Sequence, residues 1–221
     1  MTTFIFLRHA VSTANEAGML AGRIPGVVLS KKGEKQANSL VSILNSLQID
    51  KVLVSPQERC LQTIKPWLTH VGKRANTDPA FQEMDYGDWS GSKLKDLSKS
   101  KDWKEIQKAP STFKFPNGES FLTAQRRMQR GLNSLSEKYP KGNILIVSHG
   151  DIIKMAVAST LDLELDKFQR IIVDPASITI TVWQGKQKSL LSLNATTRKK
   201  VGKKKSENLS SRRVLGGGSG E

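Results

Sequence analysis

Three short apolar runs constrain this chain more than any other feature. Phe4-Ile5-Phe6-Leu7 gives way at once to Arg8-His9. Val52-Leu53-Val54 gives way to Ser55-Pro56, with Arg59 close behind. Ile144-Leu145-Ile146-Val147 gives way to Ser148-His149-Gly150-Asp151. Runs of this kind, rich in branched and aromatic side chains, read as buried strands. A helical pattern follows the second and third directly. Strands alternating with helices predict a largely parallel sheet covered on both faces. In such sheets, ligands bind at the carboxyl ends of the strands. Polar side chains that end a core strand are costly unless they face a cleft. Arg8, His9, Arg59 and His149 are therefore expected along one sheet edge.

The connecting segments fit that scheme. Ser30 opens a helix over 33–47, where Ala37, Leu40, Val41, Leu44 and Leu47 keep helical spacing. Ser55, Pro56 and Glu58 offer a cap, a first-turn proline and a capping box for the next helix. Leu61, Ile64 and Leu68 would form its inward stripe, helped by Cys60 and Trp67. Residues 75–77 read as a short strand and 81–91 as an acidic, aromatic loop. Residues 93–108 read as short helices over the site. A helix is expected over 119–138, with Phe121, Leu122, Met128, Leu132 and Leu135 inward. Two final strands, 178–183 and 189–193, are joined by a tight turn at Gly185.

From residue 194 the character changes to eight cations, two glutamates and a glycine-rich end. The expected organisation is a catalytic domain over 1–193 and a basic, Gly-ended disordered tail over 194–221. The tail holds +6 of the formal charge of +15. Such basicity favours anionic partners: phosphate esters, nucleic acid or an anionic membrane surface. The aromatic-interleaved basic motifs of single-strand binders are absent, so no specific nucleic-acid partner is expected. A non-catalytic, basic RNA- or membrane-associating protein is the rival class. No apolar run approaches the roughly 20 residues of a membrane span, and no secretory signal is evident. The single cysteine, Cys60, excludes an intrachain disulfide, which fits a cytoplasmic setting. A homodimer is compatible with the sequence. The three histidines show no ligand spacing, so neither a metal nor another cofactor is expected.

The residues at the strand exits can handle a phosphoryl group. Two arginines, Arg8 and Arg59, make a bidentate trap for a tetrahedral dianion. Asn15 and the backbone amides opening the helix at Gly150 can add donors. His9, kept unprotonated by its cationic neighbours, is a competent nucleophile toward phosphorus. His149 would bind a phosphoryl oxygen and stabilise charge in the transition state. Taken alone, it could equally be a hydrogen-bonded core histidine. Glu83 suits the proton donor, because Phe81, Tyr86 and Trp89 could exclude water around it; Asp85 and Asp88 are alternatives. Trp89 and Trp103 either line the cleft or pack.

Several motifs then occur in order: Leu7-Arg8-His9, Asn15, Leu29-Ser30-x-x-Gly33-x-x-Gln36-Ala37, Ser55-Pro56-x-x-Arg59-x-x-x-Thr63, Glu83-x-x-Tyr86-Gly87, Gly118-Glu119-Ser120 and Ser148-His149-Gly150-Asp151. Over residues 1 to about 193 the chain resembles the histidine phosphatase superfamily, which includes the cofactor-dependent phosphoglycerate mutases. Within it, the chain most resembles actinobacterial members labelled phosphoglycerate mutases or phosphomutases. The resemblance implies a three-layer α/β/α fold with a mostly parallel central sheet. It implies phosphorylation of His9, a phosphate pocket of Arg8, Arg59 and His149 assisted by Asn15, and Glu83 as proton donor, without a metal. Two departures stand out. Ala10 replaces the glycine usual after the first histidine. Met84 follows Glu83 where mutases carry an arginine, and 89–116 contains no arginine. The expected activity is therefore a phosphatase acting on a small phosphorylated metabolite, with phosphomutase as the runner-up.

Overall fold

The computed structural model describes residues 1–196; from residue 197 on, the basic tail lies outside the described residues. In chain order the elements are β1 (Thr2–Arg8), α1 (Thr13–Glu16), α2 (Lys31–Asn45), β2 (Lys51–Val54), α3 (Glu58–Val71), β3 (Asn76–Thr77), α4 (Leu94–Leu97), α5 (Lys101–Lys108), α6 (Phe121–Lys138), β4 (Asn143–Ser148), α7 (Gly150–Thr160), β5 (Ile178–Gln184) and β6 (Gln187–Ala195). The strands form one sheet in the order β3-β2-β4-β1-β5-β6. The first four are mutually parallel; β5 and β6 are antiparallel additions at one edge.

Period-2 alternation divides the core. Phe4, Phe6, Leu53, Ile144 and Ile146 face one layer, with α6, α7 and the 81–89 loop. Ile5, Leu7, Val52, Val54, Leu145 and Val147 face the other, with α2 and α3. Both faces are covered, which gives three layers. The register levels the strand exits. Leu7 pairs with Val147, which pairs with Val54, and Arg8 pairs with Ser148. His9, Ser55 and His149 therefore leave the sheet in one row.

The 29–37 motif anchors the chain just past His9. Ser30 caps α2, and Gln36 Oε1 accepts from Val11 N at 2.9 Å. A Cβ on Gly33 would lie 1.9 Å from Val11 O, so only glycine admits that approach. Thr63 pins the same turn from α3, accepting from Ala10 N at 2.9 Å and donating to Arg59 O at 2.6 Å. The Ala10 methyl is buried in the α2/α3 core, which explains how alanine is accommodated after His9.

Several expectations are corrected. Ser55 does not cap α3: the helix begins at Glu58, and its N-cap, Gln57, makes no side-chain cap bond. The Ser55 hydroxyl is instead spent on Gln57 and His149. Leu61 and Leu122 are exposed, at 38% and 36%, because they sit on the outer flanks of their helices. Helix α6 starts at Phe121, capped by Ser120, because the Glu119 carboxylate is bound elsewhere. Strand β6 runs to Ala195, two residues past the expected domain end. There Asn194 accepts from Asp174 N at 2.6 Å and donates to Asp174 Oδ2 at 3.1 Å. Trp89 and Trp103 are core residues, stacked at 6.5 Å.

Candidate active site

His9 follows β1 and is 3% exposed. Its Nδ1 lies 2.8 Å from Ala10 O. A carbonyl oxygen only accepts, so Nδ1 carries the proton and Nε2 keeps the lone pair. Burial, then Arg59 and Arg8, hold the ring well below the ordinary histidine value. At neutral pH His9 is an uncharged imidazole with a nucleophilic Nε2.

Arg59 projects from the first turn of α3, where a cation opposes the helix dipole and needs an anion. It is 2% exposed. Its Nη2 donates to Gly22 O at 2.8 Å and to His149 Nδ1 at 3.1 Å. Its buried Nη1 has no hydrogen-bond partner among the described residues. A buried donor in that state is costly unless something else is bound there. Arg8 is fully buried and donates through Nη1 to Val173 O at 2.6 Å. Burial lowers its pKa, while Glu83, Asp151 and Asp174 pull it back up.

His149 caps α7 without exposing itself. Because Arg59 donates to Nδ1, that nitrogen is the acceptor and Nε2 bears the hydrogen. Nε2 lies 2.6 Å from Ser55 Oγ and 3.2 Å from Gln57 Oε1. Burial, then Arg59 and His9, push its pKa well down, so it is neutral. Ser55 and Gln57 lie against its Nε2, and Arg59 donates to its Nδ1. Its ring lies 5.2 Å from that of His9, edge to face.

Glu83 sits across from the histidines, with Oε2 3.6 Å from His149 Nδ1. Burial first, then Asp151, raise its carboxyl to about 7; Arg59, the Met84 amide and Arg8 act in the opposite direction. With His149 neutral, this contact is not an ion pair. Asp85 and Asp88 serve the loop itself. Asp85 accepts from Arg23 and Gly87 N, and Asp88 accepts from Asn117.

One cleft is lined by His9, Asn15, Arg59 and Glu83, alongside Ser12 and Met19. Arg8, His149 and Gly150, all buried, are not among its lining residues. Asn15 Oδ1 accepts from Ser12 N and Oγ at 3.0 and 2.9 Å, which spends the amide's acceptor and leaves its donors.

Two arginines that sequence reasoning missed fix the Glu83 segment. Arg23 Nε and Arg127 Nη2 donate to Glu83 O at 2.9 and 3.4 Å. Both also bind Glu119 Oε1, at 2.9 and 2.8 Å, which accepts from Asp85 N as well. The Gly-Glu-Ser motif signalled the glutamate; nothing local signalled its arginines. Ser55 was visible in its motif but read as a helix cap, and Gln57 stands at an unspecified position of that motif.

Relatives match the chain along most of its length. Phosphoserine phosphatase 1 of Hydrogenobacter thermophilus is 25% identical over 89% of this chain and 93% of its own. The adenosylcobalamin/alpha-ribazole phosphatase of Escherichia coli (strain K12) is 29% identical over 76% and 83%. The crystal structure of the alpha-ribazole phosphatase from Shigella flexneri superposes with a TM-score of 0.77 at 27% identity, covering 87% of this chain and 96% of that one. A relative named as a phosphoglycerate mutase and mycobacterial proteins also match. The model of the histidine phosphatase superfamily (branch 1) spans residues 4–196, from the strand that delivers His9 to the end of the last strand, and the chain belongs to that superfamily.

Proposed function

We propose that the protein is a metal-independent phosphomonoesterase working through a phosphohistidine at His9. One observation carries the reading. A neutral imidazole, a guanidinium edge lacking a partner and a carboxyl titrating near 7 line the same cleft. Arg8, Arg59 and His149 hold the phosphoryl oxygens, helped by Asn15 and the amide at Gly150. His149 holds Arg59 in place. His9 Nε2 attacks phosphorus; the P–O bond to the leaving alcohol breaks, and Glu83 donates its proton to that oxygen. Glu83, now a carboxylate, takes a proton from water as the water attacks the phosphohistidine. The P–N bond breaks, releasing inorganic phosphate and restoring both groups.

The substrate class is a small phosphorylated metabolite, of the kind named for the phosphoserine and alpha-ribazole phosphatases. A phosphomutase is the second reading, favoured by the mutase-named relative and opposed by the buried Met84 after Glu83. The two differ in where the phosphoryl group ends. Incubation with 3-phosphoglycerate and a bisphosphorylated primer is expected to give free phosphate at most; 2-phosphoglycerate without free phosphate would establish the mutase.

A cytoplasmic setting is part of the proposal, supported by the lone, buried Cys60; among the described residues, no helix is long and apolar enough to cross a membrane. A homodimer is compatible with it. The basic tail is assigned only a role in encounter with anions. Deleting residues 197–221, which leaves β6 and its Asn194 contacts intact, is expected to change kcat on a small phosphate ester less than twofold. A large loss of kcat in that assay would give the tail a catalytic part.

A further inference from the structure

The loop that carries Glu83 has no regular structure of its own. Residues 82–86 belong to no helix or strand, so their main-chain groups need partners from elsewhere. The Glu83 carboxyl does not anchor them: its Oε1 accepts from Met84 N at 3.0 Å, a neighbour that moves with it. The anchor is Glu119. Its main-chain N–H donates to Asp85 O at 2.9 Å, and its Oε1 accepts from Asp85 N at 3.0 Å. The same oxygen meets Arg23 Nη2 at 2.9 Å and Arg127 Nη2 at 2.8 Å. Those guanidiniums in turn hold the loop's carbonyls. Arg23 Nε donates to Glu83 O at 2.9 Å, and its Nη1 to Asp85 Oδ2 at 3.4 Å. Arg127 Nη1 donates to Ala80 O and Gln82 O at 2.9 and 3.0 Å, and Nη2 to Glu83 O at 3.4 Å. One carboxylate thereby orients two planar donor forks, and both forks grip the carbonyl of the residue whose side chain faces the cleft.

The clamp also reaches the phosphate side. Arg23 follows Gly22, whose carbonyl accepts from Arg59 Nη2 at 2.8 Å. A Cβ on Gly22 would lie 2.9 Å from Ser90 Oγ and 3.1 Å from Tyr86 Cδ2, so this turn packs directly on the Glu83 loop. Gly22-Arg23 therefore links the guanidinium assigned to the phosphoryl oxygens with the main chain of the proton donor. Glu83 and Arg59 line the cleft, whereas Glu119, Arg23 and Arg127 are not among its lining residues.

We propose that Glu119, acting through Arg23, Arg127 and the loop main chain, is a positioning residue that sets where the Glu83 carboxyl stands relative to the Arg59-bound phosphoryl group. The inference rests on the phosphatase reading above. A general acid works only within hydrogen-bond reach of the oxygen it protonates, and a misplacement of about 1 Å can cost about a hundredfold in rate. The carboxyl's own hydrogen bond is to the next residue, so its position is that of its main chain, and the clamp fixes that main chain.

The test compares the full-length wild type with Glu119→Ala and Arg127→Met, two variants so that misfolding of one does not end it. Each is assayed on an alkyl and an aryl phosphate, alone and combined with Glu83→Gln. The readout is kcat/KM, which covers the chemistry up to phosphoryl transfer to His9, the step in which the leaving alcohol takes its proton. Each variant is expected to lose about tenfold to a hundredfold on the alkyl ester. On the aryl ester, whose leaving group needs no proton, the loss should stay below about threefold. In the Glu83→Gln background either change should cost less than about a further twofold, because no proton is left to place. Equal losses on both esters, or a full further loss on top of Glu83→Gln, overturn the inference and mark a merely structural role. If wild type traps no acid-labile phosphate, the phosphatase reading falls instead, and this inference with it.

Discussion

His9→Ala is expected to lower kcat/KM on phosphate esters by roughly 10⁴-fold or more, the scale seen when a covalent nucleophile is removed. Few single changes are so cleanly separated from folding here. The imidazole is a buried ring held neutral first by that burial and then by Arg59 and Arg8. Among the described residues, its ring hydrogen-bonds the carbonyl of the next residue. Truncation should therefore leave the thermal midpoint within a few degrees of wild type. The measurement that matters is rapid-quench labelling: wild type should hold acid-labile, base-stable phosphate at substoichiometric levels, and the variant none. Retention of more than a tenth of wild-type turnover by a folded His9→Ala protein would sink the phosphohistidine mechanism. It would leave the cleft as a binding site with another nucleophile to find. The non-catalytic alternative is tested by the same experiment, since it expects no labelling in either protein.

Most of the fold was legible because its signals are local. The β1, β2 and β4 runs alternate faces residue by residue, and the breaks after them coincide with the end of pairing. The two-layer split of Phe4 and Phe6 from Ile5 and Leu7 follows from the same alternation. What was misread had competing uses for one side chain. Ser55 carries the pattern of a helix cap, but a buried imidazole is the stronger partner for its hydroxyl. Glu119 sits where a helix should open, but two guanidiniums claim it. The site was legible where a motif concentrates its residues, as at Arg8-His9, Arg59 and Ser148-His149. It was opaque where partners come from distant segments: Arg23 reaches Glu83 across 60 residues and Arg127 across 44. The Tyr86–Asp151 bond spans 65. No periodicity reports such pairs; only the closed fold brings them together.

The last strong expectation joins rate and stability in one substitution. Glu83→Gln keeps the shape and the Met84 N–H acceptor but cannot give or take a proton. On an alkyl phosphate, kcat should fall by about 10²–10⁴-fold, the usual share of a general acid–base group. On an aryl phosphate, whose oxygen leaves without help, the loss should be much smaller for the first half-reaction. The alkaline limb near pH 7 should vanish with the carboxyl. The stability effect runs the other way. The folded carboxyl titrates at about 7 against an ordinary 4.5, so the folded chain binds this proton more tightly than the unfolded chain. That contribution is fully present below 4.5 and is lost as pH rises through about 7. Ionising the group inside the fold at pH 8 costs on the order of 3 kcal/mol, an upper bound because the site can relax. Glutamine escapes that cost. The variant should match wild type in denaturant unfolding at pH 4 and exceed it at pH 8, the gap opening between the two. A slow enzyme that is more stable only on the alkaline side is what a buried acid kept for catalysis predicts. Equal stability at both pH values would mean that Glu83 is an ordinary, ionised carboxylate and that the leaving group draws its proton from elsewhere.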